Sequence, residues 1–441
     1  MRCTLLQYSI CALVVVLTLL QLIQLTMVSW LDNRNPNSIL TGAREALPMS
    51  DKQNQNQNQT HQQRDKLIHI TLPPAKLNTY GSYQIFYDFA KARSRLKSVK
   101  RRDITLITHC SMNNLHHVPD LVDRWKGPIS LAVFGSLSDV KTIVSYIMSL
   151  KECILGVRRN VTFHLVHPVN SVSEEAEIFG SVNNKRSIRV PLIHCSKLME
   201  AIKASYSSVS NYAADGILYP NNLLRNVGRA NILTEFHFVL DIDMLPSVGL
   251  RENFLNFVKG SSSLWLDEDM VQQMVFVLPA FEMDDRAVSK VPGDKKELLS
   301  YLEKDRVRQF YVKACLYCQN HTDYRRWTSL QSFTGQLGVA YTVEWKPMWE
   351  PFYISRSDAP LYDERFRQYG YNRISQVCEL YMAGFNFAVL DKAFVVHKGF
   401  KETTEFHQQK DEENRNNYYL FLQFHTALEY QYPETKRRCI K

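Results

Sequence analysis

The stretch FHFVLDIDMLPS, residues 236–247, decides how the rest of the chain is read. Phe236, Phe238, Val239 and Leu240 form an apolar run of β character that stops at two carboxylates, Asp241 and Asp243, with Pro246 close behind. Alternate residues of a strand point to one side, so Asp241 and Asp243 are expected together and Ile242 opposite. Two carboxylates on one side at the end of a buried strand repel each other and are costly without a cation. Their oxygens suit a hard divalent ion such as Mg²⁺ or Mn²⁺, which keeps room for phosphate oxygens. The pattern reads as an Asp-x-Asp motif holding a metal against a nucleotide-sugar diphosphate. A strand end with two solvated acids is the plain alternative, and the apolar run before the motif and the proline after it favour the metal.

Immediately upstream lies YPNNLLRNVGRANIL, residues 219–233. Pro220 suits a helix start, and Leu223, Leu224 and Val227 make an apolar side. Arg225 and Arg229, four apart, share the other side. They could clamp a diphosphate or a sugar carboxylate, or form a solvated basic face. Further back, ITLITH (104–109), ISLAVFG (129–135) and VTFHLVHP (161–168) read as buried strands, with a helix over 138–150 starting at Ser138. Strand–helix–strand alternation with short apolar runs points to an α/β sheet buried on both faces. Ligands of such sheets gather beyond the carboxyl ends of the strands, where Asp241 and Asp243 fall.

Downstream, residues 274–281 predict another strand, ending at Glu282. EWKPMWEPFYISR (344–356) is rich in aromatic rings beside acids, which suits sugar stacking or a core. Residues 362–385 offer an acidic turn, a glycine turn and a helix. AFVVHKGFK (393–401) predicts a last strand ending at His397, with Lys398 and Lys401 beside it. His397 is a structural residue, or a third metal ligand if the sheet returns it to Asp243. Residues 401–417 read as an exposed, partly helical support.

The 441 residues suffice for one large or two ordinary domains, and 45% hydrophobic with 22% charged residues is ordinary for a folded protein. The net charge of +9 is spread over short pairs such as Arg101–Arg102 rather than one basic block, so nucleic acid is not expected as a partner. Residues 5–28 carry no charge and are long enough to cross a bilayer. With Arg2 before them, they predict an uncleaved signal anchor and a luminal body. The expected organisation is a cytoplasmic tail (1–7), a transmembrane anchor (8–30), a low-complexity stem with QNQNQNQ (31–80) and a catalytic domain (81–441). Asn58, Asn160 and Asn320 open glycosylation tripeptides, which fits a lumen. Seven cysteines follow the anchor, so at least one is left without an intrachain partner. Cys315-x-x-Cys318 predicts a local disulfide or two separate bridges rather than a zinc site.

Taken together and in order, FHFVLDIDMLPS, VLPAFE, WEPFYIS, YDERFRQYGYNRISQVCEL and FVVHKGFK resemble glycosyltransferase family 49. The resemblance covers roughly residue 103 to the end. It implies a GT-A fold, a Rossmann-like mixed sheet carrying the Asp-x-Asp motif. It implies Mn²⁺, or Mg²⁺, held by Asp241, Asp243 and His397. The implied donor is UDP-glucuronic acid. The implied acceptor is a β-linked xylose on an O-mannosyl glycan of a dystroglycan-like glycoprotein, and the implied residence is the Golgi membrane in type II orientation. A β product from an α-linked donor requires inversion, hence a base on the acceptor hydroxyl. Asp363 or Glu364 is the expected base, with Glu282 in reserve. Arg225, Arg229, Arg373 and Lys398 are the candidate cations for the donor's carboxylate. Rival readings are a transferase using UDP-xylose or UDP-N-acetylglucosamine, and a non-catalytic subunit in complex with another glycosyltransferase.

Overall fold

The computed structural model describes residues 66–94, 102–182, 185–208, 216–261, 273–330, 335–402 and 409–440. The expected tail, anchor and most of the stem lie outside them. Among the described residues no helix is long and apolar enough to cross a membrane. The first strands are β1 (Leu67–Thr71), β2 (Lys76–Leu77), β3 (Tyr83–Ala90), β4 (Ile104–Ser111), β5 (Ile129–Phe134), β6 (Val161–Pro168), β7 (Gly180–Val182) and β8 (Lys185–Pro191). They are followed by β9 (Phe236–Val239), β10 (Met244–Pro246), β11 (Met274–Leu278), β12 (Ala280–Met283) and β13 (Val307–Gln309). The last are β14 (Val339–Val343), β15 (Phe352–Arg356), β16 (Asn386–Leu390) and β17 (Val395–Lys398).

The fold is mixed α/β, as the alternation of strands and helices predicts. Its main sheet has ten strands in the order β14-β16-β11-β15-β9-β4-β5-β6-β3-β2. At its centre β9, β4, β5 and β6 run parallel. β5 is buried along its whole length and β4 along all but its last residue, the mark of strands covered on both faces. From β4 the chain steps outward through β5 and β6, then returns to lay β9 on the opposite side of β4. That reversal is a topological switch point, and a crevice opens there beyond the strands' carboxyl ends.

A second, four-stranded sheet has the order β10-β17-β12-β13. β9 belongs to the large sheet and β10 to the small one, so residues 240–243 form the corner between them. The run 274–281, expected as one strand, also divides. Pro279 has no N–H to give a ladder, and the chain passes there from β11 in the large sheet to β12 in the small one.

The folded body starts earlier than residue 81. β1 pairs antiparallel with β8, and its Ile68 and Ile70 pack against the core while Leu67 and His69 do not follow them inward. An alternation this short at the end of a polar tract leaves a weak trace in sequence. The helix expected from Ser138 is α1 (Val140–Cys153), preceded by a capping box formed by Ser136 and Asp139. Disulfides join Cys153 to Cys195, Cys315 to Cys318 and Cys378 to Cys439, and the odd cysteine is the buried Cys110.

Helix α2 (Asn221–Arg229) lies on β4 and β5. A side chain at Gly228 would meet Ile107 Cγ2 at 2.6 Å, so α2 seats only with glycine there. Gly228→Val is expected to lower stability by about 1–3 kcal/mol through overpacking. The urea midpoint should fall with the slope unchanged; an unchanged midpoint would contradict the tight seat.

Candidate active site

The corner after β9 turns sharply, with Met244 N–H donating to Asp241 O at 3.1 Å. Ile242 packs in the core and also reaches the wall of the cavity of about 880 Å³ that Asp241 and Asp243 line, a volume suited to a nucleotide-sized ligand. The two acids share a side, as their spacing predicts, but they do so from a turn rather than from the strand itself.

Each acid is answered by its own cations. Arg373 opens the helix α3 (Asn372–Met382) after the left-handed Gly370–Tyr371 turn, and its guanidinium bonds Asp241. The same guanidinium stacks 4.1 Å from the Phe352 ring, which fixes its direction. Arg225 Nη2 stands 4.0 Å from Asp241, while its Nη1 donates to Asn222 and Asn372. Burial raises the Asp241 carboxyl, and Arg373 and Arg225 overrule it, holding the group below the usual carboxylate range.

Asp243 is served by the small sheet. β10 pairs with β17 so that Met244 lies opposite His397, and His397 Nε2 comes within 3.1 Å of Asp243 Oδ2. Lys401 Nζ is 3.8 Å from the same oxygen. Burial again raises this carboxyl, and His397 and Lys401 pull it well below its ordinary value. His397 Nδ1 gives its hydrogen to Gly399 O at 2.7 Å, which turns Nε2 toward Asp243. A carboxylate oxygen and an imidazole nitrogen at that distance require a proton or a cation between them. Histidine oriented by a backbone carbonyl beside a carboxylate is a metal-competent pair, and the oxygen–oxygen–nitrogen set suits Mn²⁺. Asp241, the other expected ligand, is held instead by arginine, so among the described residues no three such side chains already converge on one point.

A family model described as "Glycosyl-transferase for dystroglycan" matches residues 103–433 of this chain. The chain belongs to glycosyltransferase family 49. Beta-1,4-glucuronyltransferase 1 of Danio rerio is 36% identical over 99% of both chains. The Homo sapiens protein of that name is 37% identical over 82% of this chain and 83% of its own. Xylosyl- and glucuronyltransferase LARGE2s of Gallus gallus is 29% identical over 67% of this chain and 32% of its own. A solved structure of GalNAc-T7 with UDP, GalNAc and Mn²⁺ overlays at TM-score 0.35 and 9% identity, covering 69% of this chain and 45% of that one. That likeness is too distant to inform the site.

In this family-49 chain several expected site residues lie elsewhere. Arg229 is buried and donates to the carbonyls of Ala359 and Pro360 at 2.5 and 2.6 Å, bracing the loop before residue 362. Neither it nor Arg225 lies on a solvated face. Lys398 reaches Asp120 at 2.5 Å and does not line the cavity. Glu282 is fully buried, with Arg308 on one oxygen and the Tyr311 and Lys401 amides on the other, and it does not line the cavity. Asp363 is folded back onto Arg365, which donates from its amide at 2.9 Å and from its guanidinium. Glu364 accepts from Asn226 at 3.1 Å and is raised by burial, and it too stands outside the cavity lining. The acidic turn expected to supply the base is thus a brace between α2 and the loop over it.

Two cavity features escape the sequence reading. Helix α4 (Lys410–Gln431) is no mere support: Lys410, Asp411 and Asn414 among its first five residues line the cavity. Asn414 packs so close to Gly370 that a side chain there would overlap it at 2.4 Å. Glu350 also lines the cavity, partly accessible from it. Burial lifts its carboxyl to about 7 against the pull of Arg373, with the Asp241 charge adding to the rise. Its signal was present in Trp349-Glu350-Pro351, an acid set directly before the buried strand β15, but the aromatic neighbours drew the reading toward stacking.

Arg229→Met removes two charge-assisted bonds to carbonyls and is expected to cost roughly 3 kcal/mol of stability. Thermal melts should drop while UDP affinity by calorimetry stays unchanged. A loss of UDP affinity at unchanged stability would return Arg229 to the binding site.

Proposed function

We propose that the chain transfers glucuronic acid from UDP-glucuronic acid to a β-linked xylose by a metal-dependent, inverting displacement on a GT-A fold. The proposed setting is O-mannosyl glycan synthesis on dystroglycan-like glycoproteins in the Golgi lumen, with residues 8–30 as a type II anchor. The observation that carries the proposal is the pair of acids at the sheet corner, backed by His397 on one side and by Arg225 and Arg373 on the other. The names of two relatives at 36% and 37% identity support glucuronic acid as the sugar.

Asp241, Asp243 and His397 would hold Mn²⁺, which supplies charge neutralisation for the departing diphosphate. Arg225 and Arg373 then serve both Asp241 and the donor. Their guanidiniums stand within the cavity, where a planar fork suits a phosphate or a sugar carboxylate equally. Lys401 beside Asp243 and Lys410 on the cavity wall add positive charge near the anionic donor, with Asp411 next to Lys410 opposing it. Desolvation within the cavity strengthens each of these contacts. The relatives with both xylosyl and glucuronyl in their names make UDP-xylose the donor to compare.

The test uses the secreted body with a β-xyloside, a panel of UDP-sugars and either Mn²⁺ or chelator, reading UDP release. Turnover is expected with UDP-glucuronic acid alone and is expected to vanish with chelator. Asp243→Asn should lower kcat/KM by about 100–1000-fold, the several kcal/mol a phosphate-bound metal contributes. Turnover restricted to another sugar would overturn the donor, and full activity of Asp243→Asn in Mn²⁺ would overturn the metal site.

A further inference from the structure

An inverting transfer needs a base for the acceptor hydroxyl, and none of Asp363, Glu364 and Glu282 lines the cavity. Four carboxylates line the cavity: Asp241, Asp243, Glu350 and Asp411. The first two are committed to arginine, histidine and lysine. Asp411 is exposed on the first turn of α4. The Glu350 carboxylate is different in kind: among the described residues it makes no hydrogen bond and no ion pair, yet it faces a cavity that holds two arginines.

We propose that Glu350 is the general base of the transfer, an inference that rests on the proposed function. Its main chain is held on both sides. Glu350 N–H donates to Cys318 O at 2.9 Å, and the buried Gln319 side chain donates to Glu350 O at 2.7 Å. Cys318 is in turn tied to Cys315, both on the cavity wall. Trp349 beside it is fully buried, with its Nε1–H on Thr322 Oγ1 at 3.1 Å. A carboxylate with a fixed backbone and unengaged oxygens is preorganised for a proton it has yet to receive. Groups facing it from the packed elements are Arg373 of α3, Arg225 of α2, Asp241 of the corner, and the phenols of Tyr311 and Tyr369. The cations and the acid among them oppose one another, and burial decides in favour of a carboxyl that changes charge near neutrality.

In the step, the acceptor oxygen forms the new bond to the sugar's anomeric carbon. The bond from that carbon to the UDP oxygen breaks, its electron pair leaving with UDP. The acceptor's proton passes to a Glu350 oxygen and returns to solvent after release. No redox partner is involved.

The experiment compares wild type, Glu350→Gln and Glu350→Asp with whichever UDP-sugar and acceptor the wild type turns over. Calorimetric UDP binding with Mn²⁺ and a melting curve check that each variant is folded. Glu350→Gln should lose about 10²–10⁴-fold in kcat, with UDP affinity unchanged. The wild-type rate should climb with pH through an acid limb that Glu350→Gln lacks. Glu350→Asp should recover part of kcat and keep the limb. A Glu350→Gln variant with near wild-type kcat, or with its acid limb intact, overturns the base while leaving the proposed function standing. A wild type that transfers glucuronic acid to no xyloside but transfers another sugar overturns the function instead, and the same comparison then decides Glu350 with that pair. No transfer with any pair overturns both.

Discussion

Two carboxylates placed on one side where a buried strand ends repel each other, and the surroundings of Asp241 and Asp243 answer that repulsion. Neither acid is neutralised locally. Arg225 arrives from α2, Arg373 from the start of α3, and His397 with Lys401 from β17, the neighbour of β10 in the small sheet, and the turn after it. Arg225 comes from the helix just upstream and the other cations from segments remote in sequence, so the corner forms only when the two sheets, α2 and α3 are all in place. The anionic motif is therefore both the site's chemistry and the point on which several elements converge.

The geometry around the corner follows from a few local rules. Pro246 ends the motif in a three-residue strand whose antiparallel register sets Met244 against His397. Gly370 and Tyr371 adopt left-handed backbone so that α3 starts with its first residues toward Asp241, and the missing side chain of Gly370 admits Asn414 of α4. Arg229 looks interchangeable with Arg225 one helical turn away, yet it is spent on two carbonyls that keep the loop from 359 onward in position. One arginine of the pair serves the cavity and the other holds the wall behind it.

Much of this was legible in the sequence. The strands from 104, 129 and 161 and the corner at 241–243 come from apolar runs with clear stops, and β-type periodicity reports those directly. His397 could be named because it ends such a run. The misreadings share one cause. Asp363, Glu364, Glu282, Arg229 and Lys398 have the right chemistry, but sequence does not show which carbonyl, carboxylate, amide or guanidinium already meets them. Glu350 was missed for the opposite reason, since what distinguishes it is the lack of a partner in a crowded place. The early start of the body at Leu67 was hidden by a strand of only five residues at the end of a polar tract.

The central claim is that the corner acids are arranged for a divalent ion shared with a diphosphate. Calorimetric titration of UDP into the folded body, with Mn²⁺ and with chelator, tests it most directly. The account predicts tight UDP binding with Mn²⁺ that collapses in chelator, and a Mn²⁺ dependence abolished by His397→Ala. Equal UDP affinity with and without the metal would contradict it, leaving Arg225 and Arg373 as the whole of the phosphate site.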